Sequence, residues 1–174
     1  MRTNKIYTLV LAAMFTALCC IGTIVIQVPS INGYVHLGDG FVILSGIFLG
    51  PLWGSCAAGI GSMLADLLSG YPSYAIATLL IKGIAALLAG VVFHKWHHLR
   101  KSSSSSIRVV ILGGIIAGVI VTSGYFFFDM LILHNGFAAA SDIPGNLMQN
   151  VFGIVISSIL YPLLSPILKR YKQK

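Results

Sequence analysis

Ten of the eleven Lys and Arg residues sit in three places along the chain. Arg2 and Lys5 lie at the start, Lys95, Arg100, Lys101 and Arg108 near the middle, and Lys169, Arg170, Lys172 and Lys174 at the end. Long apolar runs fill the intervals, and Lys82 alone interrupts them with a cation. A soluble chain of 174 residues that is 57% hydrophobic and 9% charged could not hide so much apolar surface, because a small domain keeps much of its chain exposed. Lipid is therefore the expected solvent. A spanning helix takes roughly 20 apolar residues, so about six of them with short connections use the whole length. The expected fold class is all-α, a polytopic bundle of six transmembrane helices forming one domain over 1–174, with no room for a soluble catalytic domain.

Pro, Gly, Ser and Asn mark the connections. Spans are expected at about 6–28, 36–50, 51–69, 74–93, 107–133 and 146–168. The first run is too long for a signal peptide and has no small-residue cleavage site after it, so a retained helix is expected. The Gly50-Pro51 step divides spans two and three, since Pro is accommodated at the first position of a helix. Residues 94–106, with five consecutive serines, form one long loop. With both termini and this loop cytoplasmic, every flanking Lys and Arg lies inside, which obeys the positive-inside rule. A basic chain can also suggest nucleic acid, but here the cations border hydrophobic spans.

Small residues recur every four positions: Ala13 and Ala17, Gly46 and Gly50, Ala57, Gly61 and Ala65, and Gly114 and Gly118. In lipid such spacing lets helix backbones approach closely. Span one, coming first, could place its pair at the bundle edge against another protein. Cys19, Cys20 and Cys56 show no metal or disulfide spacing. His94, His97 and His98 stand beside Lys95 and Trp96 and read as an interfacial anchor rather than a metal cluster. No phosphate-binding loop, zinc-protease motif or serine elbow occurs, so no catalytic or metal residues are assigned.

The four acids are all Asp: Asp39, Asp66, Asp129 and Asp142. The topology places them in the outer half. Lys82 falls near the middle of span four, and Asn146, Gln149 and Asn150 share one face of span six. An unpaired charge at that depth costs several kcal/mol, so Lys82 must face the interior. Asp66 is its nearest candidate partner across the tight hairpin of spans three and four. Two readings stand: an ion pair that fixes helix register, or an outward-opening pocket. The pocket would carry Lys82, Asp66, Asp129 and the span-six amides, with Tyr34 and His36 closing over it from the first loop. Asp39 at the start of span two and the aromatic Tyr74 complete the candidate binding residues.

These features together resemble the substrate-binding S components of energy-coupling factor (ECF) vitamin transporters. Carrying the resemblance are the Ala13-x-x-x-Ala17 pair, the run Val35-His36-Leu37-Gly38-Asp39-Gly40 continuing to Phe48-Leu49-Gly50-Pro51-Leu52-Trp53-Gly54, Gly61 with Asp66, and Lys82-Gly83. The resemblance implies a receptor in the bacterial cell membrane that binds a vitamin from outside. It implies docking, through Ala13 and Ala17, onto a membrane coupling protein (the T component) carrying two ATP-binding cassette ATPases. ATP and Mg would be used by those partners, with no cofactor in this chain. By match, the family's pocket falls on Lys82, Asp129, Asn146, Gln149 and Asn150, with the first loop as lid. A small heteroaromatic ring suits these residues, and the sequence is similar to members assigned to hydroxymethylpyrimidine or pyridoxine. A carboxylate vitamin such as pantothenate would instead take Lys82 as counter-ion. The other class of function is a self-sufficient carrier driven by protons through Asp66 or Asp129. Against it, no internal repeat of the kind found in many carriers is visible.

Overall fold

The computed structural model describes residues 3–29, 34–97 and 103–172. Six α-helices follow one another: α1 (Thr3–Ile24), α2 (Asp39–Leu49), α3 (Pro51–Leu68), α4 (Pro72–His97), α5 (Ser103–Leu131) and α6 (Ile143–Lys172). Strands β1 (Gln27–Pro29) and β2 (Tyr34–His36) pair antiparallel between α1 and α2, with Gln27 opposite His36 and Pro29 opposite Tyr34. A 3-10 helix, Gly136–Asp142, leads into α6.

Among the described residues, four helical stretches are long and apolar enough to cross a membrane: Lys5–Ile24, Pro72–Trp96, Ser106–Leu131 and Gly136–Pro166. The exposed faces fit that solvent. On α4, Ile76, Leu80 and Ile84 recur every four residues and are exposed, while Thr78, Lys82, Ala85, Ala86 and Ala89 face inward. On α1 the inward stripe is Leu11, Phe15, Cys19 and Thr23.

Three expectations need correction. The first helix ends at Ile24, and residues 27–29 form a strand instead of its last turn. The second helix starts at Asp39, not at 36, and its 11 residues reach only about 16 Å at the α-helical rise, half a hydrocarbon core. The long loop is shorter than expected, because α4 runs on to His97 and α5 begins at Ser103. Residues 98–102, including His98, Arg100 and Lys101, lie outside the described residues, as do 30–33 of the first loop.

The break between α2 and α3 is where Gly50 and Pro51 place it. Gly50 adopts φ 88°, a left-handed value that a side chain resists, and Pro51 opens α3. The short α2 is inserted among α1, α3, α4 and α6, and eight of its eleven residues are buried. Its closest approaches are backbone to backbone. A Cβ on Gly46 would collide with the Ala86 carbonyl of α4, and one on Gly54 would meet the Gly46 Cα at 2.5 Å. Gly61 lies equally tight against the Thr16 carbonyl of α1. Such contacts hold helices together where lipid leaves little hydrophobic drive between them. Ala13 and Ala17 are not part of this packing; both are exposed on α1.

Candidate functional site

At the β2 end of α2 the helices diverge around a cavity of about 530 Å³, counting its open mouth. Its walls come from β2 (Tyr34, Val35, His36), α3 (Asp66), the turn before α4 (Tyr71), α4 (Tyr74, Thr78), α5 (Tyr125, Asp129), the 3-10 helix (Asp142) and α6 (Asn146, Gln149).

Helical spacing puts these groups side by side. Tyr74, Thr78 and Lys82 follow at four-residue steps on α4, and Tyr125 and Asp129 do so on α5. The Tyr34 phenol donates to Asp66 Oδ1 at 2.6 Å, and the Tyr74 phenol to Asp129 Oδ1 at 2.8 Å. The Thr78 and Tyr125 hydroxyls share a 2.9 Å hydrogen bond. The four tyrosine rings run as a chain, with centroids 5.0 Å apart for Tyr34 and Tyr71, 6.5 Å for Tyr71 and Tyr74, and 6.4 Å for Tyr74 and Tyr125. Such a wall offers π-faces to a flat ligand. Asp66 is buried, and its Oδ2 has no hydrogen-bond partner among the described residues.

Beneath the cavity lies a buried polar network. Lys82 Nζ donates to Asp39 Oδ1 at 2.5 Å, with the lysine side chain 0% exposed. The Gln149 amide donates to Asp39 Oδ2 at 2.9 Å, and its carbonyl accepts the His36 N–H at 3.1 Å. Lys82 Nζ also stands 5.4 Å from the centre of the Tyr125 ring, within cation–π range. One chain of contacts thus joins β2, α6, α2, α4 and α5. The expected Lys82–Asp66 pair is absent: α2 stands beside α4 and supplies Asp39, while Asp66 is taken by Tyr34.

Seven of the ten expected binding residues line the cavity: Tyr34, His36, Asp66, Tyr74, Asp129, Asn146 and Gln149. Asp39 and Lys82 lie below it and satisfy each other. Asn150 turns to α5, giving its amide protons to the Gly118 carbonyl at 2.9 Å and Thr122 Oγ1 at 2.8 Å. The expected set left out Val35, Tyr71, Thr78, Tyr125 and Asp142. The four-residue step from Tyr74 to Thr78 to Lys82, and from Tyr125 to Asp129, was the available signal for two of them.

The lining is acid-rich: Asp66, Asp129 and Asp142 contribute, and among the described lining residues none is Lys or Arg. Burial, helped by the Lys82 charge and only partly opposed by Asp39, holds the His36 imidazole down at about 3, so it is neutral at physiological pH. No group of three or more His, Cys, Asp or Glu among the described residues could hold a metal ion. His94 belongs to the described part of α4, whereas the His97 side chain lies outside it.

A bundle of apolar helices around an aromatic and acidic cavity is the build of a membrane protein with room for a small molecule. Residues 3–166, nearly the whole chain, match the family described as the S component of ECF-type riboflavin transporters, and the chain belongs to that family. It is thus a multi-pass membrane protein of that family. A 65-residue segment is 45% identical to an uncharacterised protein from a gap 3′ region of Pyrococcus woesei, covering 37% of this chain and 43% of that protein.

Proposed function

We propose that this chain's six helices lie in the cell membrane with both termini cytoplasmic, and that it binds a small heteroaromatic vitamin or precursor from outside. It delivers that ligand through a T component and two ATP-binding cassette ATPases, which use ATP and Mg. Ala13 and Ala17 form the docking face toward the T component. Their exposure on α1, away from the helix packing, supports this.

The observation that carries the ligand class is a cavity walled by tyrosines, carboxylates and amides whose nearest cation is already spent. Lys82, fully buried against Asp39, is no counter-ion for a carboxylate ligand. Acceptors dominate the wall, which favours rings carrying N–H or O–H donors. Hydroxymethylpyrimidine and pyridoxine have this character, whereas pantothenate, an anion, would meet three carboxylates. The family's description favours a second reading, riboflavin, whose larger ring system would have to extend into the open mouth of the cavity.

Titration of the purified chain in detergent with hydroxymethylpyrimidine, pyridoxine, riboflavin and pantothenate tests this. Calorimetric binding of one of the first two is expected, and none of pantothenate. Tight binding of riboflavin alone would replace the small-ring reading with the second one. Reconstitution of the chain by itself in liposomes with a proton gradient should give binding without accumulation. Gradient-driven uptake would make it a self-sufficient carrier instead.

A further inference from the structure

We propose that His36 is the specificity-determining hydrogen-bond donor of the cavity, presenting a fixed Nε2–H to an acceptor atom of the bound ring. The inference rests on the small-ligand reading above and assigns one atom of the site a role.

The direction of the bond follows from the other ring nitrogen. His36 Nδ1 accepts the Gly38 backbone N–H at 3.0 Å. A nitrogen that accepts carries no proton, so the neutral ring holds its proton on Nε2. Burial keeps the ring neutral, as described above. His36 is 7% exposed and lines the cavity, yet no described residue accepts from Nε2. A donor on the cavity wall whose ring is bonded only through Nδ1 is open to a ligand or a water that accepts from it.

The ring is also held in place, which is what a selective donor needs. The His36 N–H is tied to Gln149 Oε1, and β2 is paired with β1. The Tyr34 ring packs beside the imidazole with centroids 5.7 Å apart. Gly38 approaches so closely that a Cβ there would collide with Thr23 Oγ1 and stand 3.1 Å from His36 Nδ1. The loop that sets the tautomer therefore has little freedom to shift. Asp66, on the same cavity, supplies the opposite character through its carboxylate. The pair selects a ring that offers an acceptor to His36 and a donor to Asp66. An amino- or hydroxy-substituted nitrogen heterocycle meets both demands, whereas a purely hydrocarbon ring or a free anion does not.

Two measurements on the full chain in detergent test the proposal. Nitrogen-15 NMR of histidine-labelled protein, with His36→Asn identifying the signal, should show a neutral Nε2-protonated ring between pH 6 and 8. An Nδ1-protonated or doubly protonated ring would overturn it. Binding of hydroxymethylpyrimidine, pyridoxine and riboflavin is then compared in wild type, His36→Asn and His36→Gln. Asn retains an acceptor for the Gly38 N–H but removes the distal donor. Gln restores an N–H near the Nε2 position. His36→Asn should weaken binding of whichever probe the wild type takes roughly ten- to hundredfold, with thermal stability unchanged and partial recovery in His36→Gln. Binding by His36→Asn within about twofold of wild type, or an equal loss in both variants, would refute the donor role while leaving the ligand class standing. If none of the three probes binds the wild type, the ligand reading and the donor role both fail.

Discussion

Removing the Lys82 charge while leaving Asp39 in place should be among the most damaging single changes this protein can suffer. In Lys82→Met the side-chain stem is nearly preserved, so packing changes little. Asp39, 5% exposed at its side chain, would then keep a buried carboxylate with only the Gln149 amide against it. Breaking a buried ion pair from one side costs about 3–5 kcal/mol, because the remaining charge is left uncompensated. For a chain of this length each kcal/mol moves the melting midpoint by about 2–4 °C, so a drop of roughly 6–20 °C is expected. The double variant Lys82→Met/Asp39→Asn removes both charges and leaves an acceptor for Gln149. It should recover most of the loss and lie within about 1 kcal/mol of wild type, since neutral replacement of a buried pair is often nearly free. Thermal unfolding in detergent followed by Trp53 and Trp96 fluorescence reads both values. The same double variant should still bind ligand, because neither residue reaches the cavity. A single variant as stable as wild type, or a double variant no better than the single one, would refute the reasoning. Loss of all binding in a stable double variant would return Lys82 to the ligand.

Other changes report on different parts of the frame. Gly46→Ala drives a methyl group into the Ala86 carbonyl and should destabilise by about 1–3 kcal/mol, seen as a lower midpoint in the same melt. Gln149→Leu leaves Asp39 Oδ2 and the His36 N–H without partners. It should cost about 2–4 kcal/mol in stability and weaken ligand binding by calorimetry, since each orphaned buried group carries its own desolvation penalty. For pH, His36 is depressed from 6.5 to about 3 in the folded state, so the unfolded chain takes up its proton first as pH falls. The stability tied to the neutral ring is complete above pH 6.5, declines as pH drops below it, and is fully lost by about pH 3. Melting wild type and His36→Asn between pH 7 and 4 should show a shallower decline in the variant, with Asp39 and Lys82 facing the ring in both.

Much of the frame could be read from apolar run lengths, and the Gly50-Pro51 break from backbone chemistry alone. The cavity wall was partly legible too, because Asp66, Asp129 and the amides of α6 are expensive in lipid and so had to converge. Pairing was not legible. Asp66 looked like the partner of Lys82 because α3 and α4 form a sequential hairpin, but α2 inserts beside α4 and brings Asp39 closer, and nothing in a linear pattern encodes that insertion. The hairpin of β1 and β2 was equally hidden, since two three-residue strands carry too short an alternation to register. Asn150 follows Gln149 by one residue, a rotation of about 100° around the helix. That step sends one amide to the cavity floor and the other to Gly118. The short segments and the choice between neighbouring faces are set by tertiary contact, which propensity does not see.

The division of labour along α2 bears on how such a receptor could be redesigned. Its tightest backbone contacts gather at Gly46, about 10 Å along the axis from Asp39. The cavity lies beyond the Asp39 end of this short rod, and the glycine junction sits toward the other. Cavity side chains outside the Gln149–Asp39 network, such as Tyr71 and Asn146, could be exchanged to suit a new cargo while the glycine junction stays untouched, so altered selectivity need not come at the expense of folding.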